Sequence, residues 1–98
     1  MDQSEPRKDV KRSFPLGQLV ATPNALSQIP NQDMIKGLAR HVRCDWGEVG
    51  RDDWQSNDEA LKEGYRLFSA YKSSSGVKFW IITEADRSAT TILLPEDY

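Results

Sequence analysis

Glu84 and Asp86 stand two residues apart, which on an extended chain puts both carboxylates on one side, and Arg87, Ser88, Thr90 and Thr91 follow directly. Carboxylates spaced this way could hold a divalent cation weakly. A nuclease or hydrolase needs such acids to converge with a base and a hydroxyl within hydrogen-bond reach. Asp45 adds a further acid and His41 the single imidazole of the chain. The spacing supplies no nucleophile-base pair, however. An Asp-Arg-Ser run between strands is also what a structured turn uses, with Asp86 bonding its own backbone and Arg87 pairing with Glu84 or Glu63. His41 and Cys44 form one His-x-x-Cys pair, two ligands where structural zinc needs four and catalytic zinc three. No catalytic residue, metal or cofactor is assigned from these residues, and the expectation is a non-enzymatic binding protein.

The elements that must carry these side chains are legible in the pattern. Leu19-Val20-Ala21 is a short apolar run suited to an edge strand. Thr22 and Pro23 then cap and open a helical turn over 24–28, which Ile29-Pro30 interrupts. Asn31 is expected to cap an amphipathic helix whose buried face is Met34, Ile35, Leu38, Ala39 and Val42. Its opposite face carries Lys36, Arg40 and Arg43, a basic stripe that is either an anion or partner contact, a solvated face, or the match to the acidic segment that follows. Asp45-Trp46-Gly47-Glu48 is a connection with Trp46 folded back as a lid on the core. A further helix is predicted over 52–63, with Trp54 and Leu61 inward and Gly64 as its C-terminal stop.

Three strands follow, over 65–72, 77–83 and 90–94, joined at 72–76 and 84–88. The expected class is α+β, a β-α-α-β-β-β order ending in a three-stranded antiparallel meander packed by helices. Trp80 is expected to be mostly buried. The central strand is apolar on both faces, so a chain terminus, the Trp46 loop or a second subunit is needed to cover the side the helices do not.

Charge and composition narrow the function classes. A chain of 98 residues with thirteen basic and fifteen acidic residues has a formal net charge of -2. That supports neither a strong polyanion binder nor an extensively charged mimic of DNA, and argues only against these extremes. The basic residues Arg7, Lys8, Lys11 and Arg12 lie in a polar arm, read as disordered over 1–13, ahead of a single domain over 14–98. One cysteine, no apolar leader and no membrane-length apolar run point to the cytoplasm.

Leu19-Val20-Ala21-Thr22-Pro23-Asn24-Ala25-Leu26, Ala39-Arg40-His41, Asp45-Trp46-Gly47-Glu48, Asn57-Asp58-Glu59-Ala60-Leu61, Arg66 with Ser69-Ala70-Tyr71, and the run from Phe79 through Ser88 and on from Thr90 to Tyr98 carry a resemblance. The chain, over about 18–98, resembles a family of small proteins of proteobacterial chromosomes, plasmids and integrative elements. Members carry labels such as plasmid-related protein and, in places, type I restriction subunit M. The last does not hold literally here, because the chain has neither the length of a methyltransferase domain nor a glycine-rich cofactor loop with its acidic ribose contact. The resemblance implies a mobile-element setting and an accessory role, anti-defence or regulatory.

The surface expected to work by protein-protein contact is therefore the turn Glu84, Asp86, Arg87, Ser88 with Arg66 and the Asp45-Trp46 loop, since loops on a rigid sheet are where recognition residues sit. Homodimerisation fits the two-faced central strand. The competing classes are a nucleic-acid binder using the basic arm and the Lys36, Arg40, Arg43 stripe, and a small metal-dependent hydrolase.

Overall fold

A computed structural model of the chain describes residues 13–98, so the arm expected at 1–13 lies, apart from Ser13, outside the described residues. The class is α+β. β1 (Gln18–Ala21) is followed by α1 (Pro23–Gln28), α2 (Asn31–Val42) and α3 (Arg51–Glu63), and then by β2 (Leu67–Lys72), β3 (Lys78–Thr83) and β4 (Ala89–Leu93). A 3-10 turn over Pro95–Asp97 closes the chain. The sheet order is β1-β4-β3-β2, with β2, β3 and β4 antiparallel and β1 parallel to β4 at the edge.

Local chemistry explains where the helices begin and end. The Thr22 hydroxyl accepts from the Ala25 N–H at 3.1 Å and Pro23 occupies the first turn of α1. Gly64, at φ 83°, caps α3 and returns its N–H to the Ala60 carbonyl. Asn31 is not the cap of α2: Pro30 precedes the helix, and its carbonyl takes the Asp33 and Met34 N–H groups. α3 starts at Arg51 after Gly50, one residue ahead of the expected Asp52, and has no side-chain cap.

The helices cover one face of the sheet. Ala25, Ile29 and Met34 pack with Tyr71, Phe79, Ile81, Ile92 and Leu94, while Phe14, Cys44, Trp46 and Ala60 gather around Leu67. The buried face of α2 is rotated from the expected one. Met34, Gly37 and His41 turn inward, and Ile35 is 65% exposed. Gly37 decides the rotation: a Cβ there would meet the Phe79 ring at 3.0 Å and Ile81 at 3.2 Å, so this is the face that can sit closest to β3. The other face of the sheet carries Phe68, Trp80, Ile82 and Leu93. Trp80 is mostly buried there, as expected, and packs edge-on against Phe68 and Tyr98.

The β2 edge is closed by the chain itself. The Trp46 carbonyl accepts from the Ala70 N–H and the Glu48 N–H donates to the Ala70 carbonyl. Two positions along, the Asn57 side chain accepts from the Phe68 N–H at 3.0 Å and donates to its carbonyl at 2.7 Å. Backbone groups that would otherwise template another strand are thus paired. Gly47 makes the approach feasible, at φ 78° and with the Ala70 oxygen 2.1 Å from where a Cβ would stand. Gly47→Ala is accordingly expected to destabilise the fold by about 2 kcal/mol, read as a lower denaturant midpoint, since it adds left-handed strain and forces the loop off the edge. An unchanged midpoint would show that the loop can retreat freely.

Candidate functional site

The turn at 84–88 is held from three sides. The Glu84 N–H donates to the Ala89 carbonyl and the Arg87 N–H to the Glu84 carbonyl, which closes the loop. The Ser88 N–H donates to Asp86 Oδ1 at 3.0 Å, and bonding to Ser88 holds the Asp86 carboxyl below its ordinary range. Gly17 backs onto the far side, where a Cβ would lie 2.4 Å from the Ser88 carbonyl.

Arg87 sits at the centre of this arrangement, in left-handed geometry at φ 62°. Its Nη1 donates to the carbonyls of Tyr65 at 2.7 Å, Glu84 at 3.1 Å and Ala85 at 3.1 Å, and its Nη2 donates to that of Ala60 at 3.1 Å. Two of these carbonyls belong to the end of α3 and the residue beyond its cap, so the guanidinium fastens the turn to the helix. The cation also lies 5.8 Å from the centroid of Phe14. Expected pairing with Glu84 or Glu63 gives way to these carbonyls. It is Arg66 that meets Glu84, at 3.3 Å, while also donating to the Tyr98 hydroxyl at 2.9 Å. Glu84 and Asp86 therefore point to separate partners, and no cation cradle forms between them.

Asp45 and Trp46 take different roles. Trp46 is fully buried, stacked near Phe14 and edge-on to His41, and its indole N–H donates to Asp58 at 3.0 Å. It is the lid the sequence suggested, and it presents no surface to a partner. Asp45 is part-exposed and takes a two-point contact from Arg40, Nε to Oδ2 at 2.8 Å and Nη2 to Oδ1 at 3.3 Å, which holds its carboxyl low. The Arg40 guanidinium also lies over the Tyr71 ring, 4.8 Å from its centroid. Of the basic stripe, Arg40 is thus matched to the segment that follows, while Lys36 and Arg43 are exposed.

The polar cluster that spacing did not bring together is buried. His41, Ser69, Thr83 and Thr90 each have no exposed surface. Thr83 and Thr90 are directly opposite on β3 and β4, with their hydroxyls 2.7 Å apart. His41 Nε2 lies 2.9 Å from Thr83 Oγ1, His41 Nδ1 lies 2.5 Å from Ser69 Oγ, and Thr90 Oγ1 lies 2.7 Å from the Leu16 carbonyl. The carbonyl can only accept, so it sets the direction of the whole chain. Thr90 donates to Leu16, Thr83 to Thr90, and His41 Nε2–H to Thr83, leaving Nδ1 to accept from Ser69. Burial, with a smaller contribution from the Arg87 cation, pushes the His41 pKa down to about 3, so the ring is neutral with its tautomer assigned.

Such a histidine has both nitrogens occupied and Phe14 and Trp46 packed against its ring, at centroid distances of 5.2 and 5.6 Å. It has no path to a substrate proton, and its role is to satisfy a polar row inside the core. The signal for it was present in the strands: Ser69 and Thr83 occupy inward positions of otherwise apolar alternations. Among the described residues, no group of three or more His, Cys, Asp and Glu side chains is placed to hold a metal ion.

An apolar groove lies at the other sheet edge. It measures about 290 Å³ and is lined by Leu19, Val20, Leu26, Met34, Ile35 and Leu38, with Asn31 as a polar member. Leu19 is 52% exposed, Val20 42%, Leu26 59% and Ile35 65%. Gln18 and Thr22 direct their N–H groups to β4, through Ser88 and Ile92. By alternation Leu19 and Ala21 turn theirs to the outer edge, which no strand among the described residues occupies. Among the described residues, no helix is long and apolar enough to cross a membrane. Set against models of protein families, curated proteins and solved structures, the chain matches none of them.

Proposed function

We propose that the chain is a non-enzymatic binding protein acting through protein-protein contact, and that its working surface is the groove and open strand edge at β1. The occupant is an extended, apolar segment of a partner protein, which adds to β1 as a further strand and seats alternate side chains in the groove. The observation that carries this reading is a coincidence of place. Of six large apolar side chains exposed among the described residues, four surround the sheet edge that no strand among the described residues occupies. Natural sheets cover or charge such edges, as this one does at β2, and an uncharged edge bordered by exposed leucine, isoleucine and valine is the usual mark of an interaction site.

This reading moves the contact away from the turn at 84–88, whose Arg87 serves the fold. The mobile-element setting implied by the family resemblance makes the proposed role accessory, either anti-defence or regulatory.

The test compares capture by the wild type with capture by a Leu26→Asp, Ile35→Asp double variant, both residues being exposed. The variant is expected to keep its circular dichroism spectrum and thermal midpoint and to lose the partner that the wild type retains, by about a hundredfold in affinity for two desolvated contacts. Equal capture by the two proteins overturns the assignment. So does a wild-type dimer that the variant dissolves, because the occupant is then a second copy of the chain.

A further inference from the structure

We propose that the sheet face turned away from the helices is a stacking platform for a single-stranded nucleic acid. The inference is independent of the groove at β1 and stands on three observations.

The first is aromatic. On this face β2 presents Phe68, Ala70 and Lys72, and β3 presents Lys78, Trp80 and Ile82, in direct register as Phe68↔Ile82, Ala70↔Trp80 and Lys72↔Lys78. Phe68 and Trp80 are part-exposed, their ring centroids 5.0 Å apart, and Tyr98 continues the row at 5.8 Å from Trp80 while remaining 74% exposed. None of the three rings belongs to either core cluster. Ile82 and Leu93 on this face are buried, so the part-exposed rings are what it offers to unstacked bases, and such stacking is tolerant of sequence because every base has a π-face.

The second is electrostatic. Lys72 and Lys78 are directly opposed on neighbouring strands, an arrangement that destabilises a sheet unless something anionic offsets it. Neither ammonium has a hydrogen-bond or ion-pair partner among the described residues. Two acids are engaged elsewhere: Asp33 accepts from the N–H and hydroxyl of Ser74, and Glu84, at the far end of the face, is paired with Arg66.

The third is continuity. Lys72 also borders a small pocket of about 140 Å³ with Asp33, Lys36, Arg40, Tyr71 and Phe79. A phosphate backbone leaving the aromatic row meets Lys78 and Lys72 and, rounding the end of the sheet to its helix-covered side, reaches Lys36 of α2. A duplex does not fit the first observation, because its bases are already stacked on one another and cannot reach the rings.

The experiment is fluorescence anisotropy of a fluorescein-labelled short oligothymidylate titrated with the full chain at low salt. Binding is expected for the wild type and should weaken as salt rises. In a Lys72→Glu, Lys78→Glu variant, affinity should fall about tenfold or more and the salt slope by about 1.4, the value for two phosphate contacts on a single strand. Tyr98→Ala should weaken binding by about fivefold or more through lost stacking, with no change in the salt slope. An Arg51→Glu, Lys62→Glu variant, which makes the same charge change on α3, should bind like the wild type. Absence of binding overturns the proposal. An equal loss in the α3 variant also overturns it by assigning the effect to overall charge. A matched duplex that binds as tightly, together with no effect of Tyr98→Ala, overturns it by reducing the contact to phosphates alone.

Discussion

Taking the protein from about pH 7 to about pH 5 is expected to cost the native state about 2 kcal/mol through His41 alone. Burial lowers the His41 pKa from 6.5 to about 3, so between these values the unfolded chain binds a proton that the native chain does not. Stability contributed by the neutral ring is complete above the unfolded value and is lost progressively as the pH falls towards the folded one. The carboxyls held low, Asp33, Asp45, Asp86 and Asp97, weaken the fold only as the pH drops through their unfolded value of 3.8 and below. The window between about pH 4.5 and 6.5 therefore belongs to the imidazole.

Denaturant midpoints measured across that window should fall for the wild type and stay level for His41→Gln, which keeps a donor and an acceptor but does not titrate. At neutral pH, His41→Leu is expected to cost about 3 kcal/mol or more, because Ser69 and Thr83 lose their partner where no water replaces it. An identical pH slope in the Gln variant would show that another group carries the acid sensitivity.

Arg87→Ala is expected to lower stability by about 3 kcal/mol or more, with the far-ultraviolet spectrum retained until the transition. Four main-chain carbonyls lose a cationic donor at once, among them that of Ala60 near the end of α3. Arg87→Gly should be less damaging than Arg87→Ala by about 1 kcal/mol, since φ 62° costs glycine nothing and alanine a left-handed penalty. Arg87→Lys should recover little, because one ammonium cannot span carbonyls that a planar fork reaches together. An unchanged midpoint in Arg87→Ala would return the guanidinium to the surface and to partner recognition.

What could be read along the chain was whatever short-range chemistry governs. Thr22-Pro23 opens a helix and Gly64 stops one because caps satisfy the N–H and C=O groups of their own turn. Alternation in 67–72 and 78–83 marks two strands because successive side chains must point to opposite faces. The Asp86-Ser88 bond is equally local, and so is the αL position that Gly47 needs. From these the α+β class and the terminal meander follow.

Tertiary structure decided everything that depends on partners far apart in sequence. Periodicity offered Ile35 as a core residue, but only the approach of Gly37 to Phe79 and Ile81 selects the face of α2 that turns inward. His41 on a helix is a surface base or a core group with equal ease, until Ser69 and Thr83, 28 and 42 residues away, supply both of its hydrogen bonds. Arg87 in a polar turn looks like a recognition residue, yet the carbonyls that take its protons include Tyr65 and Ala60, at 22 and 27 residues' distance. The chain specifies each side chain's capacity to bond, and the fold determines which capacities are spent internally and which remain for a partner. That is why the surface proposed for a partner is the uncharged edge at β1 and not the charged turn.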